Sequence, residues 1–250
     1  MNKVALVTGA SRGLGRAIAL RLAKDGMMII VHYGQNQNAA DEVVSEIESL
    51  GSKAFAVSAD ISKVSSIASM FEKIDAELET LTGEAKFDVL VNNAGTAIAK
   101  PIGEWTEEDF DYQFDLNVKG LFFTTQFAIS RLRNNSRIIN VGTGLTRFSN
   151  PIYAVYAASK GAVNVLTQNL AALLGERGIT VNTLAPGAID TDLNADWLRS
   201  EEGKQQTIAI TAIKRIGMPD DIADAVSFLA SEDSRWVTGQ RIEASGGAHL

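Results

Sequence analysis

Residues 4–15 read VALVTGASRGLG, four apolar residues followed by a turn that contains three glycines. The apolar run predicts a buried strand, and the amphipathic run Leu14–Lys24 predicts a helix. In such a strand–turn–helix unit, glycines allow a tight reversal and bring backbone N–H groups against a pyrophosphate at the helix N-terminus. The stretch therefore indicates a dinucleotide-binding turn, with an ordinary βα turn as the alternative. Its candidate binding residues are Gly9, Ser11, Arg12, Gly13, Leu14 and Gly15.

The alternation of short apolar runs and helical spacing continues along the whole chain. Continuous apolar strands indicate a parallel sheet covered on both faces, and right-handed crossovers then give a doubly wound sheet. We predict an α/β fold, a single Rossmann-type three-layer domain over residues 1–250 with a parallel sheet of about seven strands. The predicted strands are Val4–Val7, Met27–Val31, Ala54–Val57, Phe87–Val91, Arg137–Val141, Thr180–Leu184 and Arg241–Ala244.

Two long helices are predicted in the second half of the chain. The first begins at a capping box at Thr106 and runs to about Leu132, and the three acids in its first turn are interpreted as structural. The second runs from about Tyr153 to Arg177, and Gly178 suits its C-cap. Its small residues on one side fit close packing against either the sheet or another subunit.

Composition argues against several classes of function. The net charge of −7 leaves no basic stripe for nucleic acid, and no apolar run is long enough to cross a membrane. The chain has no cysteine and no secretory signal, so we expect a cytoplasmic protein without disulfides. The only histidines, His32 and His249, do not fit a catalytic triad or a zinc motif, and we expect no metal.

The end of the second predicted strand decides between the two nicotinamide dinucleotides. Residues 31–36 read VHYGQN, without the acidic residue that would accept the ribose 2′-hydroxyl of NAD. Arg12 projects toward the same region, where a guanidinium favours a 2′-phosphate, unless it is a solvated loop residue. We therefore predict NADP(H) in preference to NAD(H), with His32 and Tyr33 beside the adenosine. Asp60, followed by Ile61, either accepts from the adenine amino group or caps the next helix.

Tyr156 and Lys160 lie four residues apart on a predicted helix and thus on one face. A phenol titrating near pH ~10 is a poor acid–base catalyst at neutrality. A neighbouring ammonium, together with the positive charge of an oxidised nicotinamide, is expected to lower the pKa of the phenol toward the working pH. Such a pair is common by chance, but behind a dinucleotide-binding turn it indicates an active site.

Over nearly its whole length the chain resembles the short-chain dehydrogenase/reductase family, particularly its 3-oxoacyl-acyl-carrier-protein-reductase-like members. The motifs that carry the resemblance occur in the family's order. They are the Thr8–Gly15 turn, Asn92-Asn93-Ala94-Gly95, Asn117 in a DLNV run, the Tyr156/Lys160 pair, Pro186-Gly187 with Thr191, and Val237–Gln240.

The resemblance implies roles for these residues. Tyr156 would protonate the carbonyl oxygen, while Lys160 would lower the pKa of Tyr156 and bind the nicotinamide ribose. Asn117 would hold a water of a proton relay, or would only mark a helix kink. The remaining residues implied to line the cofactor are Asn93, Ala94, Gly95, Pro186, Gly187, Ile189 and Thr191. The asparagine amides at 92 and 93 would also brace the sheet, and the segment after Pro186 has a plain loop-and-cap interpretation.

One position departs from the family pattern. Thr143, thirteen residues before Tyr156, stands where the family usually has serine. Threonine keeps a hydroxyl that can orient a carbonyl, and adds a methyl group and a stiffer χ1. We interpret Thr143 as equivalent to the serine, with a spectator role as the alternative; the methyl group would restrict the substrate range.

The sequence as a whole predicts an NADPH-dependent reductase of a ketone or 3-oxoacyl thioester. Substrate would enter between residues 143–153 and an apolar lid segment at about 188–213. Arg133 and Arg177 are candidate contacts for an acidic acyl carrier protein, or ordinary exposed arginines. The alternatives are an NADP(H)-binding sensor or scaffold without turnover and an NAD-linked alcohol dehydrogenase. The resemblance also implies a homotetramer built on the two long helices.

Overall fold

A computed structural model describes residues 3–198 and 200–250. Seven strands form one sheet in which every pairing is parallel, in the order β3-β2-β1-β4-β5-β6-β7. This order is that of a doubly wound sheet and confirms the predicted α/β fold. The strands are β1 Val4–Val7, β2 Met28–Tyr33, β3 Ala54–Ser58, β4 Phe87–Asn92, β5 Leu132–Val141, β6 Thr180–Pro186 and β7 Arg241–Ala244.

Helices cover both faces of this sheet. Successive strand residues point to opposite faces, so Ala5 and Val7 pack with α1, α2 and α9, while Val4 and Leu6 pack with α3, α5 and α6. None of the described helices is both long and apolar enough to cross a membrane. The helices are α1 Gly13–Lys24, α2 Gln37–Ser49, α3 Val64–Thr82, α4 Glu107–Phe114, α5 Leu121–Ile129, α6 Ala154–Leu174, α7 Ala195–Leu198, α8 Glu201–Ile210 and α9 Pro219–Ala230.

The predicted continuous helix from Thr106 to Leu132 is wrong in two respects. Thr106 does cap α4, since its hydroxyl accepts from the backbone N–H of Asp109 at 3.1 Å. A π-helical turn over Asp115–Gly120 then separates α4 from α5, and Leu132 is already the first residue of β5. A Cβ at Gly120 would lie 2.6 Å from the carbonyl oxygen of Ile61, so the helix turns here in close contact with the loop after β3.

Because all seven strands run in the same direction, the loops that follow them open at one edge of the sheet. Five of these loops carry residues singled out from the sequence, at positions 8–12, 59–63, 93–106, 142–153 and 187–194. The fold therefore gathers segments more than a hundred residues apart at the carboxyl ends of the strands, where ligands bind in doubly wound sheets.

Candidate active site

The loop between β1 and α1 has the geometry of a phosphate-binding turn. Gly9 and Gly13 adopt φ of 64° and 53°, in the left-handed region that glycine favours. A Cβ at Gly15 would overlap the carbonyl of Gly9, so α1 begins in direct contact with the turn. The N-terminus of α1 therefore faces the open edge with its free N–H groups, as binding of a pyrophosphate requires.

Side chains of neighbouring strands brace this turn. The hydroxyl of Thr8 accepts from the backbone N–H groups of Asn93 and Ala94 at 2.9 and 3.0 Å. The amide of Asn93 donates to the carbonyls of Thr8 and Gly9 at 2.9 and 3.2 Å. The amide of Asn92 instead joins β4 to β5, since it donates to Asn140 at 2.9 Å. Asn93 thus fixes the shape of the turn, as does Thr8, which the sequence analysis placed in the turn but not among the candidate binding residues.

The side chain of His32, on β2, forms a hydrogen bond with the same turn. Its Nδ1 accepts from the backbone N–H of Gly9 at 3.0 Å, so the ring proton resides on Nε2, which donates to the carbonyl of Ala59 at 3.1 Å. Burial lowers the pKa of His32 to about 4, and the ring is neutral at pH 7. The side chain predicted to lie beside the adenosine is thus engaged within the protein, where it joins the glycine turn to the end of β3.

The side chains of three further residues that were predicted to bind the cofactor make contacts within the protein. The carboxylate of Asp60 accepts from the N–H and hydroxyl of Ser62 at 3.1 and 2.6 Å and pairs with Lys63 at 3.0 Å. The hydrogen bonds from Ser62 lower the pKa of Asp60. Asp60 does not cap α3, whose N-cap Lys63 has no side-chain capping bond, and its contact with the adenine stays a prediction. Ile61 and Ile189 are buried in the two core clusters, which leaves only their backbones to face a ligand.

The segment after β6 forms the opposite side of the groove. A Cβ at Gly13 would lie 3.8 Å from Thr191, so the glycine turn and this segment face each other. Gly187 donates to the carbonyl of Ala244 at 3.2 Å, and a Cβ there would lie 2.9 Å from the Cα of Ser245. Pro186 ends β6 immediately before. The residues present therefore fit a dinucleotide whose pyrophosphate lies at the start of α1.

Tyr156 and Lys160 share one face of α6. The ammonium of Lys160 is buried and donates to the carbonyl of Val141 at 2.8 Å. Burial lowers the pKa of Lys160 to about 8. Burial also raises the pKa of Tyr156 to about 12, against a hydrogen bond with Thr143 that lowers it.

Among the protein groups alone, burial has the largest effect on the pKa of Tyr156, and the expected lowering by Lys160 together with an oxidised nicotinamide stays a prediction. Removal of the phenol from water outweighs the favourable contacts, and the ammonium of Lys160 is engaged by Val141 instead. A phenol with a pKa of about 12 is protonated at neutral pH, which is the state that a proton donor needs.

Asn117 lies in the π-helical turn and is completely buried. Its Oδ1 accepts from the N–H of Thr96 at 2.9 Å, and its amide donates to the carbonyl of Thr96 and the hydroxyl of Ser159 at 2.8 and 3.1 Å. A Cβ at Gly95 would lie 2.9 Å from Oδ1 of Asn117 and 3.4 Å from Nζ of Lys160, so these groups approach the same point. The Asn117 side chain holds the loop around Lys160, and its part in a water relay stays a prediction.

Thr143 follows β5 and is nearly buried, at 9% exposure. Its hydroxyl accepts from the N–H of Leu145 at 3.3 Å, and its hydrogen bond with Tyr156 opposes the effect of burial on the pKa of the phenol. Its carbonyl accepts from the hydroxyl of Thr146 at 3.1 Å and from the guanidinium of Arg241 at 3.2 Å. Sequence reasoning missed Arg241, whose only signal is the charged–apolar–charged run 241–243 on an edge strand.

A doubly wound sheet with a glycine turn, and a tyrosine and lysine four residues apart beside a hydroxyl, defines a class of nicotinamide-dependent oxidoreductase. The family model described as enoyl-(acyl carrier protein) reductase matches residues 9–249. The chain belongs to the short-chain dehydrogenase/reductase family and is an enzyme, which confirms both predictions.

Three relatives show what the chain is similar to. It is 41% identical to the hydroxynaphthalene reductase-like protein Arp2 of Metarhizium acridum, over 99% of this chain and 95% of that protein. The solved structure of the angucycline C-6 ketoreductase LanV with bound NADP has a TM-score of 0.95 and 42% identity, covering 99% and 96% of the two chains. The reductase LugOII, described as catalysing keto-reduction at C1 during lugdunomycin biosynthesis, has a TM-score of 0.94 and 41% identity, covering 99% and 98%.

Proposed function

We propose that this enzyme uses NADPH to reduce a ketone on a fused-ring substrate to a secondary alcohol. The observation that carries the proposal is the position of a protonated Tyr156 beside the hydroxyl of Thr143, at the edge of the sheet where the cofactor groove ends. The solved relatives with bound NADP, together with the absence of an acid in residues 31–36, support NADP(H) as the cofactor.

When bound, the reduced nicotinamide supplies a hydride to the carbonyl carbon. The hydroxyl of Thr143 donates to the carbonyl oxygen and orients it. Tyr156 then delivers its proton to that oxygen as negative charge develops there, a transfer favoured because the buried phenol and the substrate share a site of low polarity.

Lys160 and Asn117 also contribute to this proton transfer, although neither donates the proton. The ammonium of Lys160, with a pKa of about 8, carries the positive charge at neutral pH that stabilises a phenolate once the proton has left. We expect this ammonium also to bind a ribose hydroxyl of the cofactor, since Gly95, a predicted cofactor residue, lies close to it. Asn117 keeps the Thr96 loop closed over this ammonium.

An open cavity beside the residues that follow Thr143 supports a substrate with an apolar ring. A cavity of about 330 Å³ adjoins the loop after β5, within the usual range for small-molecule sites. Its apolar lining includes Leu145, Phe148, Pro151 and Ala154. Within the proposed lid segment, the indole N–H of Trp197 on α7 donates to Thr207 on α8 at 3.3 Å, which joins the two helices. The name of the Metarhizium relative points to the same class, since hydroxynaphthalene has fused rings.

A 3-oxoacyl thioester is the second candidate substrate, because the description of the matching family model names an acyl carrier protein, although with an enoyl and not a 3-oxoacyl group. The arginines considered for docking an acyl carrier protein offer it little support. Arg133 pairs with Glu84 and Asp88, each at 2.8 Å, and Arg177 donates to the carbonyls of Ile129 and Leu132. Both guanidinium groups are thus engaged in holding the fold.

Steady-state kinetics with NADPH distinguish the two substrate classes. We expect a kcat/KM at least ~10-fold higher for a hydroxylated tetralone than for acetoacetyl-N-acetylcysteamine, because a rigid ring loses less conformational entropy on binding than a flexible chain, a difference of ~1–3 kcal/mol. The Tyr156→Phe variant serves as the control for non-enzymatic loss of NADPH. The reverse preference would assign the thioester, and absence of turnover with every carbonyl would overturn the proposed function.

We also propose a homotetramer that uses α4–α5 and α6. The apolar side chains of Phe122, Val165 and Leu173 are 38%, 59% and 68% exposed along these helices, which is costly unless a second copy covers them. Light scattering coupled to gel filtration tests the assembly, and a monomer at micromolar concentration would contradict it.

A further inference from the structure

We propose that Arg241 is a positioning residue that acts through Thr143: it fixes the backbone of the threonine so that its hydroxyl meets the carbonyl oxygen of the substrate. The inference rests on the role proposed above for Thr143. Arg241 lies at the start of the edge strand β7, in register with Thr183 of β6, and its guanidinium reaches across the end of the sheet to the loop after β5.

The guanidinium of Arg241 donates hydrogen bonds to two residues of that loop. One nitrogen donates to the carbonyl of Thr143 at 3.2 Å, and another donates to the hydroxyl of Thr146 at 2.9 Å. That hydroxyl in turn donates to the same carbonyl at 3.1 Å and accepts from the amide of Asn164 on α6 at 3.2 Å. The carbonyl of Thr143 therefore receives two side-chain donors, one of them charged.

A carboxylate holds the guanidinium in place. Arg241 and Glu243 are two residues apart on β7 and so project to the same face of the sheet. Glu243 accepts from two nitrogens of Arg241 at 3.2 and 3.3 Å and from Nε and Nη2 of Arg147, each at 2.8 Å. It also accepts from the hydroxyl of Ser245 at 2.7 Å. These donors, Arg147 first, hold the pKa of Glu243 at about 2, so the carboxylate stays charged throughout the neutral range.

The network is placed where a small movement matters. Arg241 is 24% and Glu243 18% exposed in their side chains, so water screens the pair only in part. The backbone of Thr143 is extended, with φ of −156° and ψ of 153°, and the 3₁₀ turn Gly144–Thr146 begins directly after it. Loss of the charged donor frees the carbonyl to rotate, and this rotation turns the hydroxyl away from Tyr156. A displacement of ~1 Å at a reacting group lowers rates by as much as ~100-fold.

A double-mutant cycle tests the inference in the full-length enzyme with NADPH and the best ketone of the panel. The variants are Arg241→Met, Thr143→Val and their combination. We expect Arg241→Met to lower kcat about 10-fold, with the Kd for NADPH within about twofold of the wild type. In the Thr143→Val background the same change is expected to alter kcat less than about twofold, because residues that act as a unit are non-additive.

Arg133→Met is the matched control. Arg133 is 26% exposed and pairs with two carboxylates, but it lies at the amino end of β5, away from the site. We expect it to lower the thermal midpoint as much as Arg241→Met and to leave kcat unchanged. If Arg241→Met does not fold, Arg241→Lys replaces it: one ammonium cannot serve both Thr143 and Glu243, so an intermediate kcat is expected.

The outcomes separate this inference from the proposed function. If the two single changes multiply in the double variant, or if Arg241→Met leaves kcat unaltered, Arg241 does not act through Thr143 and the inference fails alone. If Thr143→Val retains the wild-type kcat, the proposed role of Thr143 fails, and the inference with it.

Discussion

Replacement of His32 by glutamine is expected to remove a specific loss of stability in mild acid. The ring is 2% exposed and lies between the N–H of Gly9 and the carbonyl of Ala59. Glutamine retains one acceptor and one donor but does not titrate. The folded protein resists protonation of the ring, because Nδ1 would lose its role as acceptor from Gly9 and a buried cation would lack solvation.

The magnitude follows from the shift in pKa. The pKa of His32 falls from 6.5 to about 4 on folding, so at acid pH the unfolded chain binds more protons than the native protein. The contribution to stability is therefore fully present above pH 6.5 and is lost as the pH falls from 6.5 toward 4. Between about pH 7.5 and about pH 5, the free energy of unfolding should drop by ~2 kcal/mol from this group alone.

Other shifted groups titrate outside this window. Asp221 and Glu243, each with a pKa of about 2, withdraw their stabilisation only as the pH falls below the ordinary carboxyl values of 3.8 and 4.5. Lys160, lowered from 10.5 to about 8, affects stability only at alkaline pH. The interval between the two chosen pH values therefore reports mainly on histidine.

Urea unfolding at both pH values and at one protein concentration measures the effect. The wild type is expected to lose ~2 kcal/mol more than His32→Gln over the interval. His249→Asn is the matched control. We expect this variant to lose as much free energy of unfolding between the two pH values as the wild type. Equal losses in the wild type and His32→Gln would refute the reasoning, as would loss of the dependence in His249→Asn.

The remaining predictions concern the active site and the cofactor. Tyr156→Phe should lower kcat for ketone reduction by ~10²–10⁴-fold and leave the Kd for NADPH unchanged; residual activity near the wild type would identify a different proton donor. Thr143→Ser should keep or broaden activity, whereas Thr143→Val should lower kcat about 100-fold, and equal rates in the two variants would make the hydroxyl irrelevant. Arg12, which is exposed at the start of α1, should matter only for the phosphate: Arg12→Ala should weaken NADPH by ~10-fold relative to NADH in fluorescence titrations, and an unchanged ratio would contradict its role.

The strands and most helices could be predicted because their signals are local. Six of the seven apolar runs match observed strands within one or two residues at each end, because buried parallel strands need continuous apolar sequence. The seventh, β5, begins at Leu132, five residues before the predicted Arg137, because its first residues pair with β4 across a register shift. The polar residues 133–135 lack the continuous apolar pattern that predicts a buried strand.

The site was predicted from the spacing of a few residue types, and its electrostatics were not. Tyr156 and Lys160 were identified because a four-residue spacing on a helix places them on one face, but their pKa values depend on burial. Burial is a property of everything packed around α6, including segments far away in the chain. The hydrogen bonds of His32 could not be predicted either, since its partners Gly9 and Ala59 lie in the loops after β1 and β3.

The sequence by itself determined the doubly wound fold, the glycine turn and the position of Tyr156 and Lys160 on one helix face, because periodicity, glycine positions and helical spacing are encoded within short stretches. Only the tertiary structure decided which groups hold Thr143. The guanidinium of Arg241 reaches it from 98 residues away, across the edge of the sheet, and Glu243 fixes that guanidinium. Contacts of this kind depend on strand order and on side-chain direction at the sheet edge, and these are set by the packing of the whole domain.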